Sequence, residues 1–478
     1  MPGRPTVMLS HTSLPVTNPG TATRSPSAEP QRIDVRMKTP MRTKKFPRSL
    51  AAVAALASAA LLAGCSGTTE SAAESDASAD GPVTLEYWSW APNIEKIVDV
   101  WNQANPDTQV KVNTSTGGAE IVAKLSAAKQ AGTLPDLSNT TYENLPNLIT
   151  SEIASDVTSI MGDREDETAG PAWDLTTFDG VNYAVPQGTA PMFLYYRTDI
   201  FEANGLTAPT TWDEYADAAR ALHAADPTKY LATFPANDAQ LFAGLSQQAG
   251  AEWWSQEDGT WTVAIDDPAS QKVADYWQGL VDDGSLATFK TFTPEWQAAL
   301  ADGTLASWLG AVWTPPLLQN NAPDTIGKWA AVPIPQWTPS DPSSGVLGGS
   351  GTIVTTGSDH PEQAREFALW LNTSTEALEA YIEYASIWPA SLAGRELPEL
   401  QQAPALLPEQ TDFYATADEI DRMTASVTWG PNVSVAYDAF TNAFSAAVNE
   451  KGDFTEALAS VQEATVADLE KSGYDVAE

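Results

Sequence analysis

The apolar positions of this chain change period along its length, and each period predicts an element. From Val83 the residues alternate, Val83-Thr84-Leu85-Glu86-Tyr87-Trp88, as a half-buried strand requires. Ile94, Ile97, Val98 and Trp101 follow at i, i+3, i+4 and i+7, the stripe of an amphipathic helix. Gln109-Val110-Lys111-Val112 predicts a second strand. Ile121, Leu125 and Ala128 predict a second helix that stops at Gly132, and Leu134-Pro135-Asp136-Leu137 opens a third strand. This β-α-β-α-β order predicts an open parallel sheet covered by helices. Thr211-Trp212-Asp213-Glu214 is a capping box, with Trp212, Tyr215, Ala216 and Ala219 on one helical face. Thr293-Pro294-Glu295 and His360-Pro361-Glu362 open two more helices with proline at the first position. Residues 333–349, rich in Pro, Ser and Gly, read as a crossover. No internal repeat is present.

Upstream of this body the pattern is different. Met41-Arg42-Thr43-Lys44-Lys45-Phe46-Pro47-Arg48 is basic, and Leu50 to Ala63 is an almost charge-free run of 14 residues. That is short of the ~20 residues a membrane-spanning helix needs. It fits the apolar region of a secretory signal. Leu62-Ala63-Gly64-Cys65 closes the run, and Cys65 is the one cysteine of the chain. These four residues resemble a bacterial lipobox. The resemblance implies a lipoprotein signal peptide over 41–64 and a lipid on Cys65, which becomes the first residue after cleavage. Residues 66–82 hold no large apolar side chain, so 65–82 reads as a lipidated flexible tether. Residues 1–40 lack periodicity and are rich in Pro, Ser, Thr and Arg. They are expected to be a mis-assigned start, with translation beginning at Met37 or Met41, or a disordered leader.

Length and composition narrow the body further. A chain of 478 residues less its leader exceeds one hydrophobic core and suits two lobes. It carries 62 acidic against 25 basic residues, and nine of the basic ones precede Cys65. So acidic a surface repels nucleic acid and anionic headgroups, which excludes both as partners. Beyond Cys65 no cysteine and only two histidines remain, His223 and His360. A disulfide, a His-rich metal site and a His-based triad therefore have no support, and no metal, cofactor or catalytic residue is expected. Six arginines beyond Cys65 disfavour a multiply anionic ligand. All 17 tryptophans lie in the body, and rings in that number invite ligand stacking.

Several motifs, in order, then converge on one family. Ala131-Gly132-Thr133-Leu134-Pro135-Asp136, Asp179-Gly180-Val181-Asn182-Tyr183-Ala184-Val185-Pro186, and Leu194-Tyr195-Tyr196-Arg197-Thr198-Asp199-Ile200-Phe201 form the first half. Pro209-Thr210-Thr211-Trp212-Asp213-Glu214, Gly303-Thr304-Leu305-Ala306-Ser307-Trp308-Leu309-Gly310, Gly348-Gly349-Ser350 and Phe454-Thr455-Glu456-Ala457-Leu458 continue it. The series resembles the extracellular solute-binding proteins of ABC importers, specifically the sugar-binding group that includes maltose-binding protein. The resemblance implies an α/β protein of the two-lobed, type II periplasmic-binding fold, each lobe an open, mostly parallel sheet with flanking helices. It implies an N-terminal lobe of 83–187 plus 336–384 and a C-terminal lobe of 188–335 plus 385–478, with hinge crossovers between them. It also implies a monomer at the outer face of the cell membrane, anchored through Cys65. That monomer would bind a neutral mono- or oligosaccharide between the lobes and hand it to a permease, without breaking a bond.

In open α/β sheets ligands sit beyond the carboxyl ends of the strands, which points to Ser89–Asn93 and Asn139–Asn144. A pyranose offers an apolar face and a rim of hydroxyls, so rings and carboxylate or amide groups are its natural partners. Trp90 suits stacking or core packing, Glu143 suits hydroxyl pairing or a solvated loop, and Tyr142 suits either job. Gln187 sits at the first crossover. Trp313 follows a Gly-Ala-Val turn and precedes two prolines, with Trp308 its rival. Trp388 lies where the resemblance places the last crossover, Trp429 reads as an exposed turn, and Asp238 completes the ligand-binding set. Trp212 and Trp370 are assigned to the core. Two alternatives stay open: a receptor for a polyol or peptide, and a secreted glycoside hydrolase built on two carboxylates.

Overall fold

The computed structural model describes residues 81–477, apart from 115 and 116. The signal, Cys65 and nearly all of the tether lie outside those residues. The alternating run forms β1 (Val83–Ser89), which pairs in parallel with β2 (Thr108–Thr114) and β3 (Leu137–Thr141). A hairpin of β4 (Thr177–Phe178) and β5 (Val181–Asn182) precedes β6 (Val185–Gly188). β7 (Met192–Arg197) begins a second sheet, and β8 (Trp254–Glu257) with β9 (Thr260–Val263) makes a separate hairpin. β10 (Ser307–Ala311) and β11 (Trp329–Pro333) flank β7, and β12 (Ser350–Val354) returns to the first sheet. The first sheet has the order β2-β1-β3-β12-β6 and the second β10-β7-β11. Both are open.

Two strands run against the common direction of their sheets. β12 runs antiparallel to β3 and β6, and β7 runs antiparallel to β10 and β11. The exceptions share a cause. β7 and β12 each follow a passage of the chain from one sheet to the other, so each enters its lobe from the cleft side and runs away from it. The strands built by local crossovers run towards the cleft. Parallel bridges from Tyr230 to Leu305 and from Thr233 to Ala287 extend the second sheet beyond β10.

Packing follows the predicted stripes. Ile94–Ala104 lays Ile97, Val98 and Trp101 on the first sheet, where Trp101 meets Phe367 edge-on at 5.4 Å. Gly118–Ala131 covers the opposite face with Ile121 and Leu125. Trp212 is 2% exposed and packs with Tyr215, Tyr276, Trp277 and Trp337 in the second lobe. Trp370 is part-buried against Trp101. Thr211 caps Trp212–Ala225 with the full reciprocal box, and Thr293 caps Pro294–Asp302.

Three segments run side by side where the lobes meet. Ala390 donates its N–H to the Gln187 carbonyl and Thr189 to that of Trp388. Tyr142 donates to the Gly349 carbonyl. Gly349 has φ +92°, and a Cβ there would lie 2.7 Å from the Tyr142 ring. Glycine is required on both counts.

Candidate functional site

Between the two sheets, past the carboxyl ends of β1 and β3, lies a cleft of ≈ 260 Å³. Of the predicted residues it brings together Trp90, Gln187, Trp313 and Trp388. Trp90 is part-buried, and its ring lies so close to the Gly117 backbone that a Cβ there would be 2.9 Å away. One face of Trp90 is thereby backed by main chain. Trp313 donates Nε1–H to the Leu347 carbonyl at 3.1 Å and meets Trp308 edge-on at 5.8 Å. Its polar handle is satisfied away from the cleft, which fixes the ring in one pose. Trp308, the rival, is 5% exposed and supports Trp313 from beneath. Trp388 stacks on Tyr414 at 5.6 Å and 12°, with the Arg395 guanidinium 4.7 Å from its ring centre.

Gln187 lies at the floor. Its Oε1 accepts from Asn139 at 3.2 Å and from the Ser350 hydroxyl at 2.8 Å, and its Nε2 donates to the Tyr381 hydroxyl at 2.6 Å. Asn139 spends its other N–H on the Gly351 carbonyl at 3.1 Å, which leaves its Oδ1 as an acceptor without a protein partner. This network joins β3, β6 and β12 of the first sheet to the Thr375–Ala385 helix. These bonds hold both amides in one geometry, with little freedom to lose on binding, and leave Asn139 Oδ1 and one N–H of Gln187 Nε2 for a ligand. Behind the cleft, Arg395 ties the Pro389 carbonyl, Thr189, Asp418 and Asp421 together.

The other predicted residues do not line this cleft. Tyr142 is 1% exposed and packs under Gly349. Glu143, two residues past the cleft-lining Thr141, is 5% exposed and accepts from Gln240 Nε2 at 3.0 Å. Burial pushes its carboxyl up to about 7. Asp238 is part-buried at the start of Ala239–Gln248, where its Oδ1 accepts from the Leu241 N–H at 3.1 Å. Burial raises its carboxyl as well. Trp429, read as an exposed turn, is 3% exposed and packs against Trp254 and Tyr437. Gly430 lies so close to Trp254 that the turn is pressed into the core.

Sequence reasoning missed Tyr381, Gln240 and Tyr437. Burial, then the charges of Glu143 and Asp238, hold the Tyr437 hydroxyl well above its usual range. Glu143, Asp238, Gln240 and Tyr437 thus form a second polar group beside the cleft, contributed by both lobes. All three missed residues sit on helices, where a tyrosine at an apolar position reads as core. Among the described residues no cluster of His, Cys, Asp and Glu could hold a metal ion, and no helix is long and apolar enough to cross a membrane.

The sequence model described as bacterial extracellular solute-binding protein matches residues 96–408. The chain belongs to that family. Two relatives and two solved structures place this solute-binding protein among its kin. It is 24% identical over 422 residues to the arabinooligosaccharide-binding protein of Halalkalibacterium halodurans, covering 82% of this chain and 91% of that one. It is 28% identical over 302 residues to the lactose-binding protein of Rhizobium radiobacter, covering 60% and 69%. The galacto-N-biose/lacto-N-biose I-binding protein of the ABC transporter from Bifidobacterium longum, solved with lacto-N-biose, matches with a TM-score of 0.75 and 26% identity. The match covers 83% of this chain and all of that one. The MalE sugar-binding protein of Xanthomonas citri matches at 0.69 and 16% identity over 82% of this chain and 98% of its own, which speaks to the fold alone. The solute-binding protein has their two-lobed type II architecture.

Proposed function

We propose that this protein is the extracytoplasmic receptor of an ABC importer, taking a neutral mono- or oligosaccharide into the cleft and delivering it to a membrane permease. One observation carries the reading: Trp90, Trp313 and Trp388 surround an amide floor at Asn139 and Gln187, in a space shared by two lobes. Rings meet the apolar face of a sugar and oriented amides meet its hydroxyls. The sugar-binding relatives support the same class of ligand. The lobes divide near residues 187, 335 and 384, and these passages act as the hinge. Closure there is the signal the permease reads. The protein works as a monomer, breaks no bond, and is held by a lipid on Cys65.

Titration calorimetry against mono-, di- and oligosaccharides, beside polyols and peptides, tests the reading. Saturable saccharide binding without product is expected, weakened about tenfold or more in Trp313→Ala. Binding of a polyol or peptide alone overturns the sugar assignment, and release of shorter sugars makes the protein a hydrolase.

A further inference from the structure

A second cavity, of ≈ 540 Å³, adjoins the cleft, and Val312 and Ser386 line both. Its walls come from Pro315 and Gln319 on Thr314–Asn321, from Gln402, and from Tyr414 on Phe413–Met423. The stacked pair of Trp388 and Tyr414 is a party wall, since Trp388 lines the first space and Tyr414 the second. Ser386 marks the opening. It follows the Thr375–Ala385 helix at φ 53°, donating its N–H to the Ile382 carbonyl, and the chain turns away from the helix axis there. The carboxamides of Gln319 and Gln402 make no hydrogen bond within the described protein.

The cleft alone falls just below the roughly 300–1,000 Å³ of ligand sites, whereas the joined spaces fall inside that range. The Tyr414 ring stands there beside the Gln319 and Gln402 amides and the carboxylates of Glu379, Glu383 and Glu399, a mixture that suits a sugar's apolar face and its hydroxyls. We propose that the two spaces form one continuous site, and that the ligand is an oligosaccharide of at least three units. Its end leaves the cleft between Val312 and Ser386 and places hydroxyls on Gln319 and Gln402. This rests on the sugar-receptor reading above and adds the length of the ligand to it.

Calorimetry with arabino- and galacto-oligosaccharides of two, three and four units tests it, on the wild type and on the Gln319→Ala/Gln402→Ala double variant. In at least one series the trisaccharide is expected to bind about tenfold tighter than the disaccharide. The double variant should lose that gain, keep the wild-type disaccharide affinity, and unfold at the wild-type temperature. A disaccharide that binds as tightly as its longer homologues overturns the proposal, as does a double variant that keeps the full length preference. If no saccharide of any length binds, the sugar reading falls, and this extension with it.

Discussion

Glu143 shows how a single side chain couples the two lobes to pH. Its carboxyl comes from the end of β3, its hydrogen-bond donor Gln240 comes from the Ala239–Gln248 helix, and Asp238 and Tyr437 stand near it. Burial raises its carboxyl from 4.5 to about 7, so the folded protein holds a proton there that the unfolded chain releases. The stability this proton confers is complete below pH 4.5 and is lost as pH rises through about 7. Asp238 shifts in the same direction and adds to the slope. Unfolding free energy from urea titrations should therefore fall between those pH values by roughly 1–3 kcal/mol more in the wild type than in Glu143→Gln. Parallel pH profiles for the two proteins would remove Glu143 from this role.

At the scale of elements, local chemistry reads through to the structure with few losses. The Thr211 hydroxyl accepts from the Glu214 N–H at 3.1 Å while Glu214 Oε2 accepts from the N–H groups of Thr210 and Thr211. These bonds need neighbours only three or four residues apart, so the motif declares them. Thr211→Ala should cost about 1 kcal/mol, seen as a lower denaturant midpoint with an unchanged slope. Strand direction is another matter. β1, β2 and β3 are joined by local crossovers and pair as expected, but β7 and β12 arrive from the opposite lobe and run against their neighbours. Nothing in Met192–Arg197 encodes that reversal, because alternation is the same read in either direction.

For the whole molecule, attachment and binding are separable tasks. Cys65 and nearly all of the tether lie outside the described residues, and the cleft is built entirely from residues 90–388. On the proposed lipidation of Cys65, two acyl chains would give lasting attachment where one is marginal. Cys65→Ser should therefore release the protein from membranes on fractionation and lower uptake, while the affinity measured on the soluble body stays as in the wild type. Ligand at about 100 times its dissociation constant should raise apparent stability by about 2.7 kcal/mol in both forms.

By itself the chain declared what depends on near neighbours: the period of its stripes, the caps at Thr211 and Thr293, and the stop at Gly132, whereas Asn139–Thr141, read as loop, continue β3. The motif order was enough to name the family. Which tryptophans face the cleft was a tertiary decision. Trp313 and Trp429 occupy similar Trp-and-proline surroundings, yet Trp313 lines the cleft while Trp429 is pressed onto Trp254 and Tyr437. The same holds for Glu143, Gln240 and Tyr437, nearly a hundred or more residues apart in sequence and adjacent only when two lobes meet. Burial and charge proximity act through space, and a site assembled from both lobes becomes visible only once the chain has crossed between them.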